Sequence, residues 1–403
     1  MRDLEVIPGG AVLIGDDGEI AAVGPYREVR AGAGAGAGAG DAEVVEVDGV
    51  LFPGFVDAHT HAVFGAARLA DHERRAMGMD YKTIAAEGGG ILASVRDTRA
   101  RSYEELLDLT HRRLARLLAH GTTTVEVKSG YGLATDVELR QLDVIGAVMR
   151  EGRPAIVGTF LGAHEFPLEY RSQRAAYVEL VAHEMLPAAA RQGVARYCDV
   201  FCEPGVFTVE ESRCVLEAAR RLGLGLKAHA DELDGSGGAE LAVELGAVSA
   251  DHLAQVSDTG IKALAGSDTV AVLLPGTQLF LGRDARAPAR RLIDAGAAVA
   301  LATDFNPGSS PGMSLPLMAT LGVSQLGMVP AEAIFAITVN GAAAVGEAGT
   351  RGQIAPGFRA DLALARLRDW RELVYWYGVN LVTEVWVAGS PCHPAEQPVN
   401  SLV

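Results

Sequence analysis

Eight short apolar runs, separated by stretches with helical spacing, constrain the fold of this chain more than any other feature. Apolar runs of this length are typical of strands buried on both faces. The stretches between them, such as residues 104–120 and 210–222, combine charged and apolar residues at helical spacing. Eight strand-then-helix units predict an α/β fold in which a parallel sheet closes into a (β/α)8 TIM-like barrel. The runs lie at residues 50–57, 121–128, 155–162, 197–202, 224–229, 247–251, 269–274 and 298–303.

The segment before the barrel is rich in strand signals. Two apolar stretches flank residues 16–18, Asp-Asp-Gly, which is a hairpin pattern. Strict Ala-Gly alternation over residues 31–40 predicts a mobile loop, and residues 44–47 predict a further strand.

The segment after the barrel returns to strand signals, with predicted strands at residues 360–364 and 384–389. We therefore predict a small β-sandwich domain formed by both termini, residues 1–49 and 346–403, around a metal-dependent hydrolase barrel at residues 50–345.

Composition narrows the partners and the compartment. The net charge of −16 disfavours nucleic acid and anionic membranes, while a small-molecule substrate remains compatible with it. No apolar run reaches the roughly 18 residues of a membrane span, and the first residues lack the blocks of a signal peptide. The four cysteines show neither zinc-ribbon spacing nor disulfide density. We expect a cytoplasmic homodimer with reduced thiols.

Histidine and aspartate residues follow several of the predicted strands. His59 and His61 come directly after the first run, and positions two apart on a strand share a face. His229 ends the fifth run and Asp304 follows the eighth. The chemistry of such barrels lies at the carboxyl ends of the strands. Three imidazoles and one carboxylate with an open position suit one zinc or iron ion, so the pattern predicts a metal hydrolase.

Three further polar residues at strand ends have more than one interpretation. His252 could polarise a carbonyl group or hold the attacking water, or be structural. Glu232 suits a ring N–H or a leaving nitrogen, although Asp231 or Glu232 could instead cap a helix. His164 could donate a hydrogen bond to a substrate oxygen.

The loop after the second strand offers two more candidates. The Tyr131 hydroxyl can bind a ligand that the flanking glycines allow to approach. Lys128 is the one lysine near a strand end that could form the carbamate bridge of a two-metal site, although we favour a single metal.

Cationic and small polar groups near the barrel mouth predict binding of an anionic substrate. Arg68 could pair with a carboxylate, with Arg74 and Arg75 as competitors. The loop 306–310, which includes Asn306, Gly308 and Ser309, offers amide, N–H and hydroxyl groups for the same end of a substrate.

The motifs at residues 53–61, 128–133, 229–233 and 302–308 resemble those of the amidohydrolase superfamily. Within it the chain is most similar to the imidazolonepropionase family of histidine degradation, and the second and fourth motifs are the more specific ones. The resemblance runs from about residue 10 to the carboxyl terminus.

The resemblance implies hydrolysis of a cyclic amide, in which 4-imidazolone-5-propanoate and water give N-formimidoyl-L-glutamate. It implies one zinc or iron ion held by His59, His61, His229 and Asp304. It places the catalytic groups at His252, Asp304 and Glu232. It places substrate contacts at Arg68, Tyr131, His164, Glu232, Asn306, Gly308 and Ser309.

Two alternatives remain open from the sequence. A ring deaminase of the same superfamily would use the same metal, with Glu232 as proton shuttle, but Arg68 and Asn306 favour a substrate that bears a carboxylate. A catalytically inactive barrel is disfavoured because all four ligand positions are intact.

Overall fold

The structure is a computed structural model that describes residues 1, 4–35, 43–79, 83–84 and 87–392. Its strands are β1 (Gly10–Ile14), β2 (Ile20–Pro25), β3 (Val50–Pro53), β4 (Phe55–Asp57), β5 (Thr122–Lys128), β6 (Ala155–Ala163), β7 (Ala195–Cys202), β8 (Gly225–Ala230), β9 (Ser249–His252), β10 (Val270–Leu273), β11 (Val299–Leu301), β12 (Leu362–Ala365), β13 (Val382–Val387) and β14 (Ser390–Cys392).

The α-helices alternate with the strands through the middle of the chain. They are α1 (Tyr26–Ala35), α2 (Leu69–Ala76), α3 (Ile91–Ala100), α4 (Tyr103–Ala119), α5 (Thr135–Glu151), α6 (Arg174–Leu180), α7 (Leu186–Gln192), α8 (Val209–Arg221), α9 (Gly238–Leu245), α10 (Asp258–Ala265), α11 (Pro275–Leu281), α12 (Ala289–Ala295), α13 (Leu315–Leu326), α14 (Pro330–Ile337) and α15 (Val339–Ala344). A π-helical turn at Val181–Met185 joins α6 to α7, and 3₁₀ turns lie at Leu168–Tyr170 and Trp370–Val374. Within the described residues, no helix is both long and apolar enough to cross a bilayer.

The predicted (β/α)8 barrel is confirmed. Strands β4 to β11 form one parallel sheet in chain order, each paired with the next. The first and last strands meet just beyond their ends, where Thr60 forms a parallel bridge with Phe305. The His61 amide donates to the Phe305 carbonyl at 2.8 Å, and the Asp304 amide donates to the His59 carbonyl at 3.1 Å. The same contacts that close the barrel therefore bring His59, His61 and Asp304 together.

Side-chain alternation along the strands separates two interiors. One apolar cluster, which includes Val127 and Ala228, lies between the strands and the helices. Alternate positions, such as Val157 and Val272, form a second cluster inside the barrel. Buried polar side chains, among them Lys128, Asp199 and His229, alternate with this second cluster, so the barrel interior contains polar as well as apolar groups.

The first predicted run, residues 50–57, is two strands rather than one. Strand β3 pairs with β12 outside the barrel, whereas β4 pairs with β5 inside it. Gly54 lies between them, and a Cβ atom there would be 2.1 Å from the Thr123 hydroxyl oxygen. Only glycine permits this close crossing from one sheet to the other. Both strands are apolar, which is why they read as a single run.

A four-stranded antiparallel sheet in the order β14-β13-β12-β3 and the β1–β2 hairpin form the β-rich region outside the barrel. The Ile20 amide donates to the Phe358 carbonyl at 2.8 Å, which ties the hairpin to the carboxyl-terminal segment. Both termini thus build this region, as predicted. The division at residues 49 and 345 stays a prediction.

Two local predictions in the amino-terminal segment are wrong. Residues 31–35 belong to helix α1 rather than to a loop, and residues 36–40 of the Ala-Gly tract lie outside the described residues. Residues 44–47 form no strand, and Val44, Val45 and Val47 are exposed. Apolar character alone suggested that strand, but these side chains have no sheet to pack against.

Candidate metal and active site

Four imidazoles and one carboxylate converge at the carboxyl ends of the barrel strands. Ligand atoms of His59, His61 and His229 lie within 4.8 Å of one another, and so do those of His59, His252 and Asp304. Asp304 Oδ1 is 3.6 Å from the Nε2 atoms of both His59 and His61. Residues that are far apart in sequence thus meet at a distance that a single cation could bridge. All five side chains are buried.

His59 presents a free nitrogen to the centre of this cluster. Its Nδ1 lies 2.6 Å from Asp251 Oδ2, so the proton belongs on Nδ1. Its Nε2 is buried and has no hydrogen-bond partner among the described residues, which is costly unless a ligand binds it. Burial lowers the pKa of His59 and of His61 well below the usual value, so both rings carry a lone pair at neutral pH.

His229 is oriented in the same manner by Asp199. Its Nδ1 lies 3.1 Å from Asp199 Oδ2, while its Nε2 lies 3.4 Å from His61 Nε2. Burial lowers the pKa of His229, but the Asp199 carboxylate raises it and prevails. Carboxylate partners on the outer nitrogen are the usual means by which proteins orient metal-binding imidazoles.

Asp304 is held in a strained backbone conformation at the mouth of the barrel. Its φ angle is 52°, in the region that glycine favours, and its Oδ2 accepts a 2.6 Å hydrogen bond from Thr277. Burial raises its pKa, an effect that His252 and Thr277 only partly oppose. Strain of this kind persists only where surrounding contacts enforce it, and it leaves Oδ1 directed at the histidines.

Glu232 and His252 form the next layer towards solvent. Glu232 Oε2 lies 3.7 Å from His252 Nε2, and Glu232 Oε1 accepts a 2.9 Å ion-paired hydrogen bond from Arg283. The buried Glu203 carboxylate accepts backbone N–H groups from Glu232, Leu233 and Asp234. Glu203 therefore fixes the loop that carries Glu232.

Asp231, and not Glu232, caps a helix. Asp231 accepts the backbone N–H groups of residues 236–239 and so caps the start of α9. Glu232 makes no such contact among the described residues and faces His252 and Arg283 instead.

His164 and Tyr131 lie on one wall beside the imidazole cluster. His164 stacks on His61 with ring centroids 5.0 Å apart, and its Nδ1 donates to the Gly130 carbonyl at 2.8 Å. Burial lowers the pKa of His164 to about 3, so the neutral ring offers Nε2 as an acceptor. The Nδ1 proton goes to Gly130, so in this tautomer Nε2 would accept from a substrate rather than donate, and the prediction of a hydrogen bond from His164 to a substrate oxygen stays a prediction. Glu138 accepts the N–H groups of Gly130 and Gly132 and so holds this loop.

Arg68 lies directly over Gly308. A Cβ atom on residue 308 would be 1.1 Å from Arg68 Nη2 and 1.8 Å from its Cζ. The Arg68 Nε is buried and has no hydrogen-bond partner in the part of the chain that the structure describes. Asn306 uses its own amide within the loop, where Oδ1 accepts the N–H groups of Gly308 and Ser309 at 2.8 Å each. Asn306 thus shapes the loop on which Arg68 rests.

A cavity of about 130 Å³ connects these groups. Both the imidazole cluster and Arg68 line it, together with Arg75, which donates to the Gly308 carbonyl at 3.1 Å. The predicted site residues that line it are His61, Arg68, Tyr131, His164, His229, Glu232, His252, Asp304, Asn306, Gly308 and Ser309.

Lys128 does not suit the role of a carbamate bridge. Its Nζ lies 2.7 Å from Glu126 and 2.8 Å from Asp199, both buried. Burial lowers the pKa of Lys128, but these carboxylates raise it and prevail, so the amine stays charged. Carbamylation requires the neutral amine, so the one-metal interpretation is favoured.

Sequence reasoning missed several residues that orient the site. A charged residue within an apolar strand indicates a buried ion pair or hydrogen bond, since such residues are rarely buried without a partner. Asp199 and Glu126 are residues of this kind. Arg283 carried no comparable signal because its approach to Glu232 depends on the loop after α11. The missed residues are Glu126, Asp199, Glu203, Asp251, Thr277 and Arg283.

A model of the amidohydrolase family matches residues 50–391. An imidazolonepropionase of Symbiobacterium thermophilum is 49% identical over 387 residues, covering 96% of this chain and 90% of the relative. An imidazolonepropionase of Solibacter usitatus is 47% identical, covering 96% and 92%.

Solved structures share the fold at low sequence identity. An adenosine deaminase from Xanthomonas campestris with bound zinc aligns with a TM-score of 0.68 at 20% identity, covering 98% of this chain and 91% of the other. A 5-methylcytosine deaminase from Klebsiella pneumoniae liganded with 5-fluorocytosine aligns with a TM-score of 0.71 at 17% identity, covering 95% and 94%.

Proposed function

Since the chain belongs to the amidohydrolase family and, within it, to the imidazolonepropionases, we propose that it hydrolyses the cyclic amide of 4-imidazolone-5-propanoate in histidine catabolism. The product is N-formimidoyl-L-glutamate. One observation carries the proposal: the imidazole cluster with Asp304 and the guanidinium-bearing side chain of Arg68 line one cavity. The first arrangement suits hydrolysis and the second suits a substrate carboxylate.

We propose one zinc or iron ion, held by His59, His61, His229 and Asp304. Two observations support this: His59 Nε2 has no hydrogen-bond partner among the described residues, and carboxylates lie next to the Nδ1 atoms of His59 and His229. Nitrogen and oxygen donors of this kind suit either metal. Bound there, the metal supplies Lewis acidity that lowers the pKa of a water molecule to about 7.

Side chains of the protein carry out the proton transfer and stabilise the developing charge. Asp304 lies beside the imidazole cluster with a raised pKa, so its carboxylate accepts a proton from the attacking water. The water oxygen adds to the ring carbonyl carbon, the bond from that carbon to the ring nitrogen breaks, and the nitrogen leaves with the proton that Asp304 received. His252 contacts the oxygen on which negative charge develops.

The other residues that line the cavity orient the substrate. We assign the propanoate to Arg68 and to the Ser309 hydroxyl. The N–H groups of Gly308 and Ser309 donate to Asn306 Oδ1, so Asn306 and Gly308 contribute by shaping the loop beneath Arg68. His164 offers Nε2 as acceptor for a ring N–H, and Tyr131 and Glu232 complete the ring site. A charge-assisted contact such as that of Arg68 is worth about 1.5–3 kcal/mol.

The test is hydrolysis of imidazolonepropionate by the purified, metal-loaded protein, with product identified by mass spectrometry. We expect turnover to N-formimidoylglutamate by the natural chain and loss of turnover in Asp304→Asn. Ammonia release from a guanine or cytosine ring, with no turnover of imidazolonepropionate, would contradict the proposal and favour a deaminase. Equal activity of the natural chain and Asp304→Asn would contradict the assigned mechanism.

We also propose a cytoplasmic homodimer. The described cysteines are free thiols, as a reducing compartment requires. Sedimentation equilibrium of the purified protein would test the dimer, and a monomer across the micromolar range would contradict it.

A further inference from the structure

A buried ion cluster lies beneath the histidines and takes no part in the hydrolysis described above. Its centre is Lys128, whose Nζ lies 2.7 Å from Glu126 Oε1, 2.8 Å from Asp199 Oδ2 and 3.9 Å from Asp251 Oδ2. All four side chains are fully buried. One ammonium group thus forms ion pairs with three carboxylates.

Two of these carboxylates continue directly to imidazoles of the proposed metal site. Asp251 Oδ2 is also the partner of His59 Nδ1, at 2.6 Å. Asp199 Oδ2 is also the partner of His229 Nδ1, at 3.1 Å. Each of these histidines is therefore one carboxylate away from the same ammonium group.

The third carboxylate reaches the backbone between the first two histidines. Glu126 Oε2 accepts the Thr60 N–H at 3.3 Å, and the Glu126 carbonyl accepts the Thr60 hydroxyl at 2.7 Å. Thr60 lies between His59 and His61, so this link fixes the segment that carries both rings.

We propose that Lys128 is a positioning residue that holds three carboxylates so that His59, His61 and His229 direct their Nε2 atoms at one metal ion. This inference rests on the metal site of the proposed function. Removing one partner from a buried ionic cluster leaves uncompensated charge, which is strongly destabilising. Without the ammonium, the three carboxylates repel one another and the Nδ1 contacts of two histidines are lost or lengthened. Loss of such outer contacts weakens metal binding roughly 10- to 100-fold.

A second buried lysine provides a matched control. Lys227 also lies inside the barrel, two residues before His229, and is fully buried. Its Nζ donates to the Ala344 carbonyl at 3.0 Å. Replacing it with methionine removes a buried amine from the same interior without removing the 2.7 Å and 2.8 Å contacts to Glu126 and Asp199 that Lys128 makes.

The experiment measures zinc affinity of the metal-free, full-length protein by competition with a chromophoric chelator. We expect Lys128→Met to raise the zinc Kd roughly 10- to 100-fold, and Lys227→Met to change it by less than about threefold. A Lys128→Met protein that binds zinc as tightly as the natural chain, or more tightly, would overturn the inference. Failure of the natural chain to bind either zinc or ferrous iron in this assay would overturn the metal site itself, and this inference with it.

A second variant guards against misfolding and separates positioning from charge balance. Lys128→Met combined with Glu126→Gln removes one positive and one negative charge, so the cluster keeps its net charge. We expect the zinc Kd of this variant to stay at least about tenfold above that of the natural chain, because Asp199 has lost its ammonium partner. Recovery of natural affinity would overturn the positioning role.

Discussion

Substituting alanine for Gly308 should displace Arg68 without disturbing the fold. The added Cβ atom would lie 1.1 Å from Arg68 Nη2, 1.8 Å from Cζ and 2.1 Å from Nε. The methyl group and the guanidinium therefore cannot occupy the same place. The guanidinium of Arg68 lies at the end of a flexible side chain, so it can move aside at little cost in stability.

The size of the effect follows from what Arg68 contributes to binding. If its charge-assisted contact with the substrate carboxylate is worth about 1.5–3 kcal/mol, its loss raises KM by about 10- to 150-fold. The turnover number should change less, because Arg68 is assigned to the substrate carboxylate and not to the reacting carbonyl. Steady-state kinetics with imidazolonepropionate measure both quantities, and thermal denaturation checks the fold.

A matched control and a double variant make the reasoning refutable. Gly312 lies four residues further along, and a Cβ atom there would have Met318 Cε at 3.9 Å as its nearest neighbour, an ordinary contact. Gly312→Ala should leave KM unchanged. Gly308→Ala should add little to the effect of Arg68→Ala, since both remove the same contact. An unchanged KM in Gly308→Ala, or full additivity of the two substitutions, would place the carboxylate elsewhere.

Three further predictions concern the proton acceptor, a buried carboxylate and the metal. Asp304→Asn should lower kcat by roughly 10²–10⁴-fold with a near-normal circular dichroism spectrum, and natural turnover would refute its role as proton acceptor. Burial, aided by Glu232, raises the pKa of Glu203 from 4.5 to about 7. The native state then keeps a proton that the unfolded chain loses, so stability falls as pH rises from about 4.5 to about 7. The Glu203→Gln variant has no ionisable group at this position. The difference between its urea midpoint and that of the natural chain should therefore increase in favour of the variant from pH 5 to pH 8. A constant difference would refute the raised pKa of Glu203. Dialysis against a chelator should abolish activity and lower Tm, and zinc or iron should restore both, whereas metal-independent activity would refute the metal requirement.

Strand positions in the barrel were predictable because strands buried on both faces read as continuous apolar runs. The transition at Gly54 was not predictable, since β3 and β4 are both apolar and only their pairing partners differ. Helix α1 extends into the Ala-Gly tract to Ala35 because alanine favours helices strongly enough to offset its glycine neighbours there.

The residues that hold the candidate metal site were predictable, whereas their supporting contacts were not. Imidazoles and a carboxylate at strand ends identify His59 and Asp304 by chemical type and position alone. The partnership of His59 with Asp251 depends on residues 192 positions apart. The acceptor character of His164 likewise depends on the Gly130 carbonyl, which only the folded loop places next to its ring.

Crystallography of the metal-loaded protein, with anomalous data collected at the zinc and iron absorption edges, tests the metal site most directly. We expect one anomalous peak, bonded by His59, His61, His229 and Asp304, with Lys128 as an unmodified amine. A peak elsewhere, two peaks bridged by Lys128, or no peak in a protein that still hydrolyses imidazolonepropionate would contradict the mechanism.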